Sequence, residues 1–179
     1  MRKILAFSAS NSPTSINHQL ILNVTQRISA HPVTVLKLKE DDFPIYSIVK
    51  EKEGFPENVE VLYKMLQEHG ALIISVNEYN ANVGGFFKNI LDWLSRLDRK
   101  FLENKKILLM STSPGKRGGA SALEYCKNQF PRFGGEIVES FSLPQFYENF
   151  DSEKGSIVNE VFDLGIAEVV TAFSQEIKE

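Results

Sequence analysis

The chain has 179 residues, of which 42% are hydrophobic and 24% charged, and its formal net charge at pH 7 is −3. These values lie close to the average of globular proteins with a substantial core, and they exclude a disordered chain, a collagen and a coiled coil. Since acidic and basic residues nearly balance, no long-range field recruits nucleic acid or an anionic membrane, and we expect neither as a partner.

Short apolar runs alternate with helical periodicity along the whole chain. The segment 3–8 is too apolar for a strand with one solvent-exposed face, so it predicts a buried strand. Apolar residues at helical spacing follow it over 16–28. Four further strand and helix pairs follow, at 33–38 and 59–69, 71–76 and 86–97, 107–110 and 120–126, and 137–143 and 158–177.

This alternation predicts the fold class. Parallel neighbours in a sheet need crossover connections, and each crossover is usually a helix on one face of the sheet. We therefore expect an α/β, doubly wound, five-stranded parallel sheet with helices on both faces. No repeat or composition break divides the chain, so residues 1–179 are expected to form one domain. Ligands of such sheets bind beyond the carboxyl ends of the strands, where the loops after the first, third and fourth strands gather.

The loop after the first strand is the most informative. Residues 8–17 hold five hydroxyl residues and two amides directly before a helix, whose first turn has unpaired N–H groups and a partial positive charge. Such a place binds phosphate; the alternative is that Thr14 or Ser15 simply caps the helix. Because the glycine motifs for dinucleotides and nucleoside triphosphates are absent, the best candidate is a terminal monophosphate, such as that of FMN.

The loops after the third and fourth strands add weaker signals. Residues 77–85 offer glycines, amides and an aromatic ring, which suit a flat conjugated ligand, while Trp93 in the following helix is expected in the core. Residues 111–119 are rich in glycine and contain Lys116 and Arg117, which fits either a ligand contact or a flexible basic surface turn.

Taken together, the three loops resemble those of the NADPH-dependent FMN reductases, a flavodoxin-like family that includes quinone, azo-dye and chromate reductases. The resemblance covers roughly residues 3–175. The matching segments are 10–17, Glu78-Tyr79-Asn80, 88–93 (Lys-Asn-Ile-Leu-Asp-Trp), and Ser113-Pro114-Gly115 with Gly118-Gly119.

The resemblance implies a flavin site without a catalytic side chain or a metal ligand. The hydroxyl loop and the N–H of Ile16 would hold the FMN phosphate, and the later loops would line the isoalloxazine. The implied cofactor-binding residues are Ser10, Ser12, Ser15, Ile16, Asn17, Asn77, Glu78, Tyr79, Asn80, Ser113, Pro114 and Gly115.

The chain departs from the family pattern at four positions. Ser12 stands where many members have Arg, Ala9 where they have Gly, and Asn77 and Gly84 where they have Pro. The missing Arg leaves the phosphate less neutralised, and the missing prolines are expected to loosen the flavin-edge loop.

The resemblance also implies an activity: NAD(P)H passes a hydride to bound FMN, and two electrons go on to a quinone, a flavin or a similar acceptor. NADH and NADPH remain alternatives, with Lys116 and Arg117 as candidate contacts for the dinucleotide. Two other classes stay open, a flavodoxin-type electron carrier and a non-flavin binding domain on the same fold. A homodimer or homotetramer is implied as well, with the loop residues Phe43, Ile45, Tyr46, Phe146, Tyr147 and Phe150 expected to be exposed as its contact or as a lid.

Other reactive residues give little signal. His18, His31 and His69 do not group in sequence, so we expect no metal site. The single cysteine, Cys126, lies on the inner side of its helix and is expected to be packed rather than redox-active. One cysteine cannot form an internal disulfide, and no secretory signal is visible, so a cytoplasmic protein is expected.

Overall fold

A computed structural model describes residues 1–38 and 43–178. Five parallel strands form its main sheet: β1 (Ile4–Ser8), β2 (Val33–Leu36), β3 (Ala71–Val76), β6 (Lys106–Thr112) and β7 (Glu136–Leu143). Their order is β2-β1-β3-β6-β7, and Ile4 of β1 lies beside Val33 on one side and Ala71 on the other. The predicted fold class, a doubly wound five-stranded parallel sheet, is confirmed.

The helices are α1 (Ile16–Gln26), α2 (Ile48–Glu53), α3 (Glu57–Glu68), α4 (Gly85–Leu97), α5 (Ala120–Gln129), α6 (Phe146–Asn149) and α7 (Glu160–Glu176). A 3₁₀ turn, Phe130–Phe133, follows α5. Two short hairpins leave the carboxyl edge of the main sheet: β4 (Glu78–Tyr79) pairs with β5 (Asn82–Val83), and β8 (Phe150–Asp151) pairs with β9 (Ser156–Ile157).

Successive residues of β1 and β3 point to opposite faces of the sheet and feed two separate cores. Leu5 and Leu72 pack on one face with residues of α3, α4 and α5. Ile4 and Ile73 pack on the other face with residues of α1 and α7. Because both faces are covered, β1 and β3 are buried along their whole length and show no alternation of buried and exposed residues.

The long connections are more ordered than the sequence suggested. The connection between the strand predicted at 33–38 and the helix predicted at 59–69 contains α2, although residues 39–42 lie outside the described part of the chain. The expectation that Phe43, Phe146 and Phe150 are exposed is wrong, because all three are buried. Phe43 packs edge-on against Phe86, and the rings of Phe146 and Phe150 stack with centroids 4.6 Å apart.

Several smaller expectations can be compared directly with the structure. Trp93 and Cys126 are buried as expected, and burial raises the pKa of the Cys126 thiol to about 12, which suppresses its thiolate. Ile45 and Tyr147 are exposed as expected. Within residues 1–38 and 43–178, no helix has the length and apolar character needed to cross a membrane, and no three metal-ligating side chains group together.

Candidate functional site

A cavity of about 230 Å³ opens at the carboxyl edge of the sheet, between the loops that follow β1, β3 and β6. We call it the first cavity. Its wall is formed by Ser10, Ser12, Thr14, Ser15, Ile16, Asn17, Asn77, Glu78, Tyr79, Thr112, Ser113, Pro114 and Tyr147. The structure thus brings together every sequence-predicted site residue except Asn80 and Gly115, which lie beside the cavity rather than on its wall.

The loop after β1 is ordered by its own hydroxyl groups. Ser10 Oγ accepts from the N–H of Ser12 at 3.2 Å, and Ser12 Oγ accepts from the N–H of Thr14 at 3.3 Å. Ser15 is the N-cap of α1, and its Oγ accepts from the N–H of His18 at 3.1 Å. A hydroxyl that accepts in this way keeps its own proton to donate, so the loop presents several O–H donors on one side of the cavity.

The start of α1 adds main-chain donors. An α-helix leaves the N–H groups of its first turn without an intrahelical acceptor, and Ser15 satisfies only that of His18. The N–H groups of Ile16 and Asn17 are therefore left without an intrahelical acceptor. Both residues line the cavity, and no lysine or arginine among residues 1–38 and 43–178 does.

Asn17 contributes its side chain to the scaffold. Its Nδ2 donates to the carbonyl of Thr112 at 3.1 Å, while its Oδ1 accepts from Ser75 Oγ at 2.7 Å and from the N–H of Thr112 at 3.1 Å. The carboxamide is buried and joins the first turn of α1 to β3 and β6. Its role is to position the hydroxyl loop, and its main-chain N–H is what it offers a ligand.

Glu78 also acts through its side chain, which the sequence did not reveal. Its Oε2 accepts from the N–H of Ser121 at 2.7 Å and from that of Ala122 at 3.1 Å. Helix α5 has Gly119 at its N-cap and no side-chain cap of its own, so the carboxylate of Glu78 supplies one. This contact ties the loop after β3 to the loop after β6. The absence of a capping residue before α5 was the one available signal.

The turn of the β4–β5 hairpin is strained. Asn80 and Ala81 have φ angles of 51° and 59°, in the left-handed region. Asparagine tolerates this conformation, but for alanine it costs roughly 1–2 kcal/mol. Asn80 occupies the turn, which is why it lies off the cavity wall, and Tyr79 beside it stays exposed on the wall.

Main-chain hydrogen bonds from a later segment, Gln145 and Phe146, hold the loop after β6 in place. The N–H of Gln145 donates to the carbonyl of Gly115 at 3.0 Å, and the N–H of Phe146 donates to that of Ser113 at 3.1 Å. These bonds bring Tyr147, exposed on α6, onto the cavity wall. Tyr147 was expected only as a lid or a subunit contact, because no motif joins it to the other loops.

Two of the departures from the family pattern touch each other. A Cβ atom on Gly84 would lie 2.7 Å from Nδ2 of Asn77, so a larger residue at 84 would force the Asn77 side chain to shift. Asn77 is buried, and its Oδ1 has no hydrogen-bond partner among the described residues. Lys116 and Arg117 are exposed and lie off the wall, with Arg117 donating to Ser121 Oγ at 3.2 Å.

Comparison with known proteins agrees with this arrangement. The family model described as NADPH-dependent FMN reductase matches residues 2–148. A quinone reductase of Escherichia coli K12 is 33% identical over 121 residues, which are 62% of this chain and 64% of that protein, so this chain spans less than two thirds of that relative. An NADPH:quinone oxidoreductase of Arabidopsis thaliana is 28% identical over 174 residues, 89% of this chain and 83% of that protein.

Among solved structures, the flavoenzyme FerB of Paracoccus denitrificans, an NAD(P)H:(acceptor) oxidoreductase, superposes with a TM-score of 0.79. The superposition covers 98% of this chain and 96% of that one at 24% sequence identity, and it establishes the flavodoxin-like fold.

Proposed function

Because the chain belongs to the NADPH-dependent FMN reductase family, we propose that it is an FMN-dependent oxidoreductase that uses NAD(P)H to reduce a quinone, a flavin or a similar small acceptor. With a quinone the net reaction is NAD(P)H + H⁺ + quinone → NAD(P)⁺ + hydroquinone. The observation that carries the proposal is the first cavity, where three loops distant in sequence converge with hydroxyls at one end and aromatic rings at the other.

The residues present fit FMN. Its phosphate needs several hydrogen-bond donors, and the loop after β1 supplies O–H groups from Ser10, Ser12 and Ser15 together with the N–H groups of Ile16 and Asn17. Its flavin ring needs flat apolar neighbours and polar groups at its edge, which the Tyr79 and Pro114 region offers.

FMN, when bound, supplies the two-electron chemistry that joins a nicotinamide to an acceptor. The chain itself positions the cofactor and the loops around it. Asn17 fixes the donors around the phosphate, and Glu78 fixes the hairpin against the loop after β6. Main-chain N–H groups of these loops would stabilise negative charge at the edge of the ring. No acidic, basic or nucleophilic side chain is assigned a chemical step.

The family match supports a reductase over a flavodoxin-type carrier. The composition agrees, because carriers that dock to protein partners tend to be strongly acidic, whereas this chain has a net charge of −3. A carrier would bind FMN without oxidising NAD(P)H. Steady-state NADPH and NADH oxidation with and without a quinone therefore separates the two, and oxidation that does not depend on an acceptor or on FMN contradicts the proposal.

The phosphate assignment has its own test. Ser15→Ala removes both a cap and an O–H donor, and we expect it to weaken FMN binding by about 1.5–3 kcal/mol, the range for hydrogen bonds to a charged group. Thr25→Ala is the matched control, because Thr25 is a half-buried residue of the same helix whose hydroxyl bonds only to the carbonyl of Leu22 among the described residues. A flavin titration that finds equal affinities for both variants removes Ser15 from the site.

Finally, we propose a cytoplasmic homodimer or homotetramer in which residues 1–179 act as one FMN-binding domain. The exposed apolar side chains of Ile45 and Tyr147, both near the carboxyl edge of the sheet, support a subunit contact there. Light scattering at micromolar concentration measures the assembly directly, and a monomer would contradict this part of the proposal.

A further inference from the structure

Asn77 carries an unsatisfied polar side chain on the wall of the first cavity. It follows β3 directly, lies beside Glu78 and Tyr79 on that wall, and is only 8% exposed. Its Oδ1 is enclosed by the protein and accepts no hydrogen bond from any described residue. Buried acceptors are normally paired, because an unpaired one has lost its bonds to water and gained none in return. A ligand that brings a hydrogen-bond donor would satisfy this oxygen.

Gly84 leaves the Asn77 carboxamide room to turn. A Cβ atom on residue 84 would lie 2.7 Å from Nδ2 and 3.3 Å from Oδ1, so the flat amide lies directly against the glycine. The backbone does not require glycine there, because a φ of −57° and a ψ of 142° are open to any residue. What the glycine provides is space. The last torsion of an asparagine side chain is soft, and a half turn about it exchanges the positions of Oδ1 and Nδ2.

The two positions depart from the family pattern together, since many members have Pro at both. A proline at 77 has no side-chain acceptor. A proline at 84 would place its Cβ in the space against the amide. The unpaired oxygen and the room beside it are therefore features of this chain, and both are needed if the amide is to respond to a ligand.

The chemistry of the proposed reaction identifies the donor. Hydride transfer follows NAD(P)H + FMN → NAD(P)⁺ + FMNH⁻, and the hydride arrives at N5 of the flavin. N5 of the oxidised ring has only a lone pair, whereas N5 of the reduced ring carries an N–H. A hydrogen bond to an amide oxygen at this atom therefore exists only after reduction.

We propose that Asn77 is a hydrogen-bond acceptor for reduced FMN: its carboxamide turns in the space left by Gly84, and Oδ1 accepts from the N–H that the flavin gains at N5. The inference rests on the proposed function, because it needs a flavin in the first cavity. A bond made only to the reduced form tightens the binding of that form alone. By linkage it raises the midpoint potential of the bound flavin and favours its reduction by NAD(P)H.

The midpoint potential of bound FMN is the test, measured by reductive titration against a reference dye. Asn77→Leu removes the acceptor, and Gly84→Ala keeps it but places a methyl group against the amide. We expect each variant to bind reduced FMN about tenfold more weakly relative to oxidised FMN, which lowers the potential of this two-electron couple by about 30 mV. Gly85→Ala is the matched control, because a Cβ atom there meets no atom within 4 Å.

Two further measurements separate this role from a structural one. A flavin titration should find the Kd for oxidised FMN within about twofold of the natural chain in all three variants, because the bond is absent in that form. Thermal denaturation without FMN shows whether each variant folds. Asn77→Leu should cost no stability, since it removes a buried acceptor that has no partner.

An unchanged potential in both Asn77→Leu and Gly84→Ala would overturn the proposal. So would equal weakening of the oxidised and reduced forms, because the other ring N–H of the flavin, at N3, is present in both. A lower potential in Asn77→Leu but not in Gly84→Ala would overturn the turning of the amide. If the natural chain itself fails to bind FMN, the proposed function fails instead, and the flavin titration shows this separately.

Discussion

The two ends of the first cavity are held differently. At one end, a buried side chain fixes the loop after β1. At the other end, the β4–β5 hairpin extends from the sheet, and its connecting turn is strained. Asn17 makes three buried hydrogen bonds that join the first loop to β3 and β6. The hairpin is tied to α5 by the two bonds that Glu78 accepts, and Ala81 in its turn has a φ of 59°. The phosphate end is thus rigid, whereas the flavin end combines one anchor with local strain.

The difference matches what each end has to do in the proposed function. A phosphate is bound tightly only when its donors are already in place, because ordering them on binding costs free energy. A ring that must meet two further ligands in turn is better served by a segment with room to adjust. Four substitutions test this contrast, two at each end.

The largest effect is expected from Asn17→Ala. The substitution leaves Ser75 Oγ and both main-chain polar groups of Thr112 without partners in a buried place, at about 1–3 kcal/mol each, and we expect a loss of about 3–4 kcal/mol in the free energy of unfolding. FMN affinity should fall as well, since the loop loses its anchor. Urea denaturation measures the first effect, with Asn58→Ala on the exposed side of α3 as the control. A loss of less than 1 kcal/mol would show that the loop is held by other contacts.

At the flavin end, Glu78→Ala removes the cap of α5. We expect a loss of about 2 kcal/mol, the upper range for a helix N-cap, and a smaller loss for Glu78→Gln, which keeps an acceptor oxygen but loses the charge. Glu124→Ala, on the exposed side of the same helix, should leave stability within about 0.5 kcal/mol. If Glu78→Gln is as damaging as Glu78→Ala, charge and not hydrogen bonding holds the hairpin.

Ser12→Arg tests whether the rigid end lacks charge. Among the described residues, no lysine or arginine lines the cavity, so an arginine at position 12 should tighten FMN binding by about 1 kcal/mol, or roughly fivefold. The gain is modest because residue 12 is partly exposed. The gain should shrink as salt rises. Ser12→Gln, similar in reach but neutral, is the control. Weaker binding by Ser12→Arg would mean that the serine hydroxyl matters more than counter-charge.

The sequence predicted the fold and the rigid end better than the flavin end, for a physical reason. Apolar periodicity reports burial against the two faces of the sheet, and it located strands such as 71–76 to the residue. The hydroxyl loop is a local motif, so the residues next to it in sequence were enough to predict that Ser10 and Ser15 lie between β1 and α1. The capping of α5 by Glu78 joins positions 43 residues apart, and the approach of Tyr147 to Pro114 depends on main-chain bonds from Gln145 and Phe146. Such contacts leave no periodic signal in the chain.

The smallest expected effect comes from Ala81→Gly, and its sign is what matters. Glycine relieves roughly 1–2 kcal/mol of strain from the left-handed conformation. It also makes the unfolded chain more flexible, which raises the entropic cost of folding by roughly 0.5–1 kcal/mol. The variant should therefore be more stable by about 0.5–1 kcal/mol. The same substitution at Ala167 in α7, where no strain is relieved, should destabilise the protein by about 1 kcal/mol. Thermal denaturation of the pair tests the opposite signs.

If the strain also sets the position of Tyr79, Ala81→Gly will gain stability and at the same time bind FMN more weakly, because a relaxed turn lets the hairpin move away from the ring. A gain in stability with unchanged FMN affinity would show that the strain is incidental and that the Glu78 anchor alone positions the flavin end.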